Sequence, residues 1–261
     1  MIYIGTSGFS YKDWVGPYYP EGTPRQGWLE FYARDFPVTE LNFSYYRVPS
    51  ASTLERLAAK TPADFVFTLK AHQDMTHNRE GNEEVFAEFV DSLQPLIESG
   101  KFGCILAQFP WSFKADEEGL DYLRFLRQQL SDLPVVIEFR RRDWIRDETF
   151  EFLEEHDLGF CCVDQPRFKS LVPPVAVATS SIAYVRFHGR NAKKWWQHKE
   201  AWERYDYTYS EEELEEWVPK IHKLEEKADN TFVFANNHWE GQAVQTARQL
   251  QMLLTDLEPE R

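Results

Sequence analysis

Three carboxylates, three basic side chains and two histidines occur in this chain where a buried strand would ordinarily carry valine or leucine. Short β-branched or aromatic runs are interrupted at alternate residues. The interruptions are Glu40, Asn42 and Ser44; Thr68, Lys70 and His72; Gln108; Glu138 and Arg140; Asp164; Tyr184, Arg186 and His188; and Asn236. The residues between them (Leu41, Phe43, Leu69, Phe139, Val185, Phe187) are apolar. Successive strand side chains point to opposite faces, so the polar set converges on one interior. Unpaired charge there is costly, so Glu40, Glu138 and Asp164 must answer Lys70, Arg140 and Arg186. Such a balanced set is either an ion-pair lattice or a preorganised site.

Read as a site, the set suits a small anionic substrate. Lys70, Arg140 and Arg186 would hold a carboxylate or phosphate, which arginine grips bidentately. Glu138 would act as base and His188 would exchange its proton, giving acid–base catalysis with no metal or other cofactor. Asn42, Gln108, Asp164, Tyr184, Asn236 and Asn237 would bind and orient the substrate. A carboxylate among arginines has a lowered pKa, and His188, flanked by Arg186 and Arg190, stays neutral near pH 7. A Schiff-base role for Lys70 is not expected, because neighbouring carboxylates favour the ammonium form. Retaining glycoside hydrolysis is not expected either. Its paired carboxylates would end the fourth and seventh strands, where Gln108 and His188 stand.

The elements that must position these residues are legible as eight runs: 2–7, 38–43, 65–71, 103–109, 135–140, 159–164, 183–188 and 231–236. Most are followed by a helix with its own start signal. These signals are Thr23-Pro24, a capping box Ser52-x-x-Glu55, Asn82, Asp116, Asp147, Ser210-x-x-Glu213 opening a helix over 214–226, and Gly241 before 243–254. Val172-Pro173-Pro174 cannot sit inside a helix, so the sixth helix is expected to be missing or degenerate. The alternation predicts the α/β class and a single (β/α)8 TIM barrel over residues 1–261, with chemistry at the strands' C-terminal ends. Gly5-Thr6-Ser7-Gly8 lacks the GxGxxG spacing of an open dinucleotide-binding sheet. Two long aromatic loops, 9–27 with Trp14 and Tyr18 and 189–209 with Trp195 and Trp196, are expected to close over the mouth. The same rings could instead form a satellite hydrophobic cluster or a dimer contact. Asn236, Asn237 and His238, just before Gly241, would form an anion site at a helix start.

Composition narrows the partners. The 261 residues carry 29 Lys and Arg against 43 Asp and Glu, a net charge of −14, which disfavours non-specific nucleic-acid binding. Basic-aromatic clusters at Arg140-Arg141-Arg142 and Lys193-Lys194-Trp195-Trp196 would suit a non-catalytic ligand- or nucleic-acid-binding module, but the net charge opposes it. No run approaches the length of a membrane span, and no signal peptide precedes the first strand. Cys104, Cys161 and Cys162 lie in apolar runs, and neighbours do not form an ordinary disulfide, which points to a reducing, cytoplasmic setting. A small anionic partner, no membrane, and a monomer or dimer are expected.

Longer stretches carry a resemblance. They are Gly5-Thr6-Ser7-Gly8-Phe9, the run Glu40-Leu41-Asn42-Phe43-Ser44-Tyr45-Tyr46-Arg47-Val48-Pro49, Phe67-Thr68-Leu69-Lys70-Ala71 and Thr76-His77. Gln108-Phe109-Pro110, Glu138-Phe139-Arg140 with Trp144, the run Tyr184-Val185-Arg186-Phe187-His188-Gly189-Arg190, and Asn236-Asn237 with Gly241 complete them. With these segments the chain resembles the YecE-like family (domain of unknown function 72), uncharacterised TIM-barrel proteins. The resemblance implies a barrel similar in shape to the endonuclease IV-like and xylose-isomerase-like barrels, with no established reaction. That shape brings in an alternative, a metal-dependent phosphodiesterase. A divalent metal would then be held by His72, Glu138, Asp164 and His188, with Glu40 in reserve. No HxH or HExxH spacing supports it, and three basic residues share the interior. The chain departs from the family at two positions: where the family usually has His and then Ser before the Trp, it has Arg141 and Asp143.

Overall fold

In the computed structural model, which describes residues 1–255, all eight expected strands are present and each runs parallel to its neighbours. They are β1 (Ile2–Ser7), β2 (Val38–Leu41), β3 (Val66–Lys70), β4 (Phe102–Gln108), β5 (Val135–Glu138), β6 (Leu158–Asp164), β7 (Ile182–Phe187) and β8 (Asn230–Ala235). They pair in chain order and β8 returns to β1, which closes a TIM barrel. Closure leaves no sheet edge and covers the outer strand face with helices, so the charged strand residues point into the barrel. The register levels Ser7 with Glu40, Glu40 with Thr68, and Gln108 with Glu138. The polar residues therefore stack in layers at one end.

Helices α1 (Trp28–Tyr32), α2 (Ala51–Ala59), α3 (Glu83–Ser92), α4 (Gln94–Glu98), α5 (Glu117–Leu130), α6 (Asp147–Glu155), α7 (Glu211–Glu215), α8 (Val218–Glu225) and α9 (Gln242–Thr255) surround the barrel. Helix α5 shows why they form. Asp116 caps it by accepting from Gly119 N at 3.1 Å, and Leu123, Leu126 and Leu130 bury one stripe. As expected, the sixth connection, 165–181, has no helix.

Three local expectations are corrected. The cap of α2 is Ser50, which accepts from Thr53 N, and not Ser52, because the chain is still extended at Ser50. The expected helix over 214–226 is two helices, since Pro219 has no N–H to continue the ladder and instead opens α8. Strand β2 stops at Leu41, and a tight turn, Phe43–Tyr45, follows. Phe43 consequently stands 41% exposed and does not face the helices, and Ser44 ties Leu41 O and Lys70 O together at 2.9 and 2.6 Å.

Behind the strand ends, Phe109, Phe113, Phe139 and Trp144 form one stack, with centroids 4.0 Å apart for Phe109–Phe113 and 4.3 Å for Phe139–Trp144. Phe109 and Phe139 are the chain neighbours of Gln108 and Arg140, so this stack fixes where those two polar residues emerge.

Candidate active site

Arg186 is the centre of the buried layer. Its Nη1 donates to Glu138 Oε2 and its Nη2 to Glu40 Oε1, both at 2.6 Å, and all three residues are at most 2% exposed. Tyr184 donates to Glu40 Oε2 at 2.7 Å, so Thr68 Oγ1, 3.0 Å away, must donate to the tyrosine oxygen. The other Glu138 oxygen, Oε1, faces His188 Nε2 at 3.2 Å and Arg140 Nη2 at 3.3 Å. Burial by itself would raise the Glu138 pKa, but Arg186, Arg140 and His188 together hold it well below the usual carboxylate range.

An ionised Glu138 can only accept, which fixes the histidine tautomer. His188 Nε2 carries the proton, and Nδ1 accepts from Asn236 Nδ2 at 2.9 Å. Burial, with Arg140 and Arg186, outweighs the pull of Glu138 and lowers the His188 pKa to about 3. Both imidazole nitrogens and both Glu138 oxygens are thus engaged beneath the barrel mouth.

Above this layer opens a cavity of about 570 Å³. Lys70, Arg186, Gln108, Asn42 and Asn236 line it at the strand ends, and Phe9, Tyr11, Arg25, Phe43, Tyr45, Tyr46, Tyr205 and His238 line it from the loops. No aspartate or glutamate is among the lining residues. Lys70 Nζ stands 4.3 Å from the Tyr45 ring centroid and has no ion-pair or hydrogen-bond partner among the described residues. Burial first, then Arg186 and Arg140, lower its pKa to about 7 against the opposing pull of Glu138 and Glu40. Arg186 takes both carboxylates, so Lys70 lacks the direct ion-pair partner that the sequence reading gives it. Two guanidinium groups also keep buried donors without a partner among the described residues, Arg140 at Nη1 and Arg186 at Nε.

Other expected site residues are placed elsewhere. Asp164 is 1% exposed and receives Arg190 Nε and Nη2 at 2.9 and 2.8 Å, Tyr209 OH at 2.7 Å and Trp217 Nε1 at 2.8 Å. It pins the loop after β7, which starts at Gly189 with φ +86°, where a Cβ would meet Tyr207 at 2.7 Å. Asn237 donates to Tyr207 O and Thr246 Oγ1, and Tyr184 lies below Arg186; neither lines the cavity. The expected anion site before Gly241 is closed by the chain itself, since Glu240 N donates to Asp13 Oδ2 at 2.7 Å.

His72 lies beyond the end of β3, with Nδ1 3.5 Å from Asp74 Oδ2, in a hollow beside Tyr46 and Val85. The set His72, Glu138, Asp164 and His188 is not brought together, and no three His, Cys, Asp or Glu among the described residues are placed to hold a metal ion. Of the four lid aromatics, Trp14 and Tyr18 sink into a cluster with Tyr19 and Phe36, and Trp14 Nε1 donates to His238 O. Trp195, 2% exposed, lies over Arg140 with the guanidinium 6.0 Å from its ring, whereas Trp196 is 51% exposed beside Trp111. Among the loop residues that do reach the cavity, Tyr11, Tyr205 and His238 carry no periodic signal in the sequence.

Comparison with known proteins agrees with this barrel. The family described as "Protein of unknown function DUF72" matches residues 3–260. The UPF0759 protein YunF of Bacillus subtilis is 35% identical over 97% of this chain and 95% of its own. A crystal structure of a DUF72 family protein from Thermotoga maritima is 39% identical, with a TM-score of 0.90 over 98% of this chain and 99% of that one. One from Enterococcus faecalis is 28% identical, with a TM-score of 0.86 over 100% of this chain and 99% of that one. Among the described residues no helix is long and apolar enough to cross a membrane.

Proposed function

The chain belongs to the DUF72 family of proteins of unknown function, and we propose that it is an enzyme that binds a small anionic substrate at the mouth of its TIM barrel and moves protons there with its own side chains. The observation that carries this reading is the cavity lining. In a chain of net charge −14, the mouth presents Arg25, Lys70 and Arg186 and no carboxylate. Arg186 lines the cavity beside Lys70 and Arg25, whereas Arg140, roofed by Trp195, lies outside the lining and backs Arg186 through Glu138. Asn42, Gln108 and Asn236 supply neutral groups to orient it.

The roles follow from what each group has left to give. Glu138 and His188, with every polar atom engaged, hold Arg186 and Arg140 in place. Lys70, with a pKa of about 7 and no side-chain partner among the described residues, is the group able to take and return a proton at neutral pH. Trp195 roofs Arg140 and keeps water from screening it. The test is a thermal-shift series with inorganic phosphate, pyrophosphate and small carboxylates. A ligand at a hundred times its Kd should stabilise by ~2.7 kcal/mol, and Arg25→Gln should weaken that effect. If none of these anions moves the melting temperature while neutral sugars do, the reading fails.

A further inference from the structure

Lys70 is the last residue of β3, and Ser44 holds its backbone by donating to its carbonyl at 2.6 Å. Its side chain enters the cavity from a rigid strand end and not from a mobile loop. The Tyr45 ring lies 4.3 Å from its amine, Leu41 and Phe43 add apolar surface to the same cavity, and the arginine side of the pocket opposes a further positive charge. An amine with no acid to pair with, beside donors for an anion, is what nucleophilic addition to a carbonyl requires.

We propose that Lys70 is a nucleophile that condenses through Nζ with the carbonyl carbon of a small anionic aldehyde, ketone or 2-oxo acid, while Arg186 and Arg25, the other basic residues of the lining, hold the anionic group. This rests on the reading of the mouth as an anion pocket and goes further by naming the bond that forms. The Nζ lone pair attacks the carbonyl carbon, the carbonyl π pair moves to oxygen, and the proton released by nitrogen neutralises that oxygen to give a carbinolamine. A proton from solvent then lets the hydroxyl leave as water, and nitrogen shares its lone pair with carbon as the protonated imine. No oxidant or reductant takes part.

Trapping with sodium borohydride reads this directly. Hydride adds to the imine carbon and leaves a stable secondary amine, so the chain gains the mass of the probe less one oxygen. The full-length protein is incubated at neutral pH with borohydride and pyruvate, glyceraldehyde 3-phosphate or uncharged propanal, and the adducts are mapped by peptide mass spectrometry. An ordinary lysine is neutral in well under one molecule in a hundred at pH 7. Labelling of Lys70 by an anionic probe should therefore exceed that of any surface lysine by on the order of tenfold or more, and should exceed its labelling by propanal. Pyruvate alone marking Lys70 assigns a carboxylate substrate, and the phosphate probe alone assigns a sugar-phosphate type. Lys70→Arg should lose the adduct while the surface lysines label as before.

Labelling of Lys70 no faster than of surface lysines, with phosphate still stabilising the protein, overturns the nucleophile and leaves the anion pocket standing. Labelling absent and phosphate without effect overturns both. Because the wild-type protein itself is mapped, a poorly folding variant does not blur the result.

Discussion

Replacing Glu40 and Glu138 by glutamine, singly and together, tests whether Arg186 is held as the geometry demands. Each carboxylate takes a 2.6 Å bond from a different Nη of the same buried guanidinium. Removing one partner of a buried ion pair costs ~3–5 kcal/mol. At ~2–4 °C per kcal/mol for a domain of roughly this size, each single variant should melt roughly 6–20 °C lower. The two carboxylates also repel. Oxygens on adjacent Nη atoms of one guanidinium lie about 5–7 Å apart, which at an effective dielectric of ~20 is ~2–3 kcal/mol. The first substitution removes that repulsion along with the attraction, so it appears milder than the bond it breaks. The second substitution has no such relief, and it leaves Arg186 charged with neither acid. The double variant should therefore lose more than the sum of the singles, by ~2–3 kcal/mol. Urea unfolding of the four proteins, followed by tryptophan fluorescence, measures this. Additivity within ~0.5 kcal/mol, or single losses under ~1 kcal/mol, would refute the reasoning.

Three further outcomes are expected. Lys70 faces Arg140, Arg186, Glu40, Glu138, His77 and Tyr45, and a bound anion favours its ammonium form. Phosphate binding at about pH 7–8 should thus be accompanied by uptake of on the order of half a proton, seen by calorimetry in buffers of different ionisation enthalpy and lost in Lys70→Met. Glu138 has a folded-state pKa well below its unfolded value, so its contribution is fully present above the unfolded pKa and disappears as pH falls through the folded one. The acid arm of a stability–pH curve should therefore be flatter in Glu138→Gln, and an unchanged arm would contradict the assignment. Asp164→Asn removes the charge that Arg190 grips with two bonds and should cost ~3–5 kcal/mol. It should also speed limited proteolysis within residues 189–209, while Asn237→Ala gives no comparable acceleration.

Much of this was legible because a closed parallel barrel leaves a strand residue only two directions. Helices cover the outside, so Glu40, Thr68, Lys70, Glu138, Tyr184 and Arg186 could only point inward, and alternation alone identified them. Their division into an engaged lower layer and an open upper one was not legible. Glu138 and Lys70 look alike to a period-2 reading, yet Glu138 is engaged by Arg186, His188 and Arg140 while Lys70 Nζ has no ion-pair or hydrogen-bond partner among the described residues, because Arg186 is long enough to reach both acids. The same detail separates Lys70 from the acids: counting nearby carboxylates pairs it with them, whereas both are bonded to Arg186. The loops defeat sequence reading for a different reason. Trp14 and Tyr11 belong to one aromatic segment, but Trp14 turns to His238 O and the core, while Tyr11 faces the cavity. No spacing rule separates them. The break at Pro219 was the opposite case, a signal present in the sequence and outweighed by the apolar periodicity on either side.

The resemblance motifs and the two departures from them fall on different parts of the structure. Phe9, Asn42, Phe43, Tyr45, Tyr46, Lys70, Gln108, Arg186 and Asn236 all belong to the matching stretches, and all line the mouth. Arg141 and Asp143, the two residues that differ, bind each other: Arg141 Nε and Nη2 reach Asp143 at 2.7–3.0 Å, and the guanidinium lies 4.7 Å from the exposed Trp111 ring. The departures therefore cancel in charge and sit at the rim, outside the cavity. They change neither the cations that face it nor the acids that hold Arg186. The charge at the mouth is governed instead by Lys70. With Glu40 and Glu138 matched by Arg186 and Arg140, the buried set is neutral when Lys70 is unprotonated and carries one positive charge when it is protonated. On the proposed reading, an anion bound there would favour the protonated form and so complete its own site.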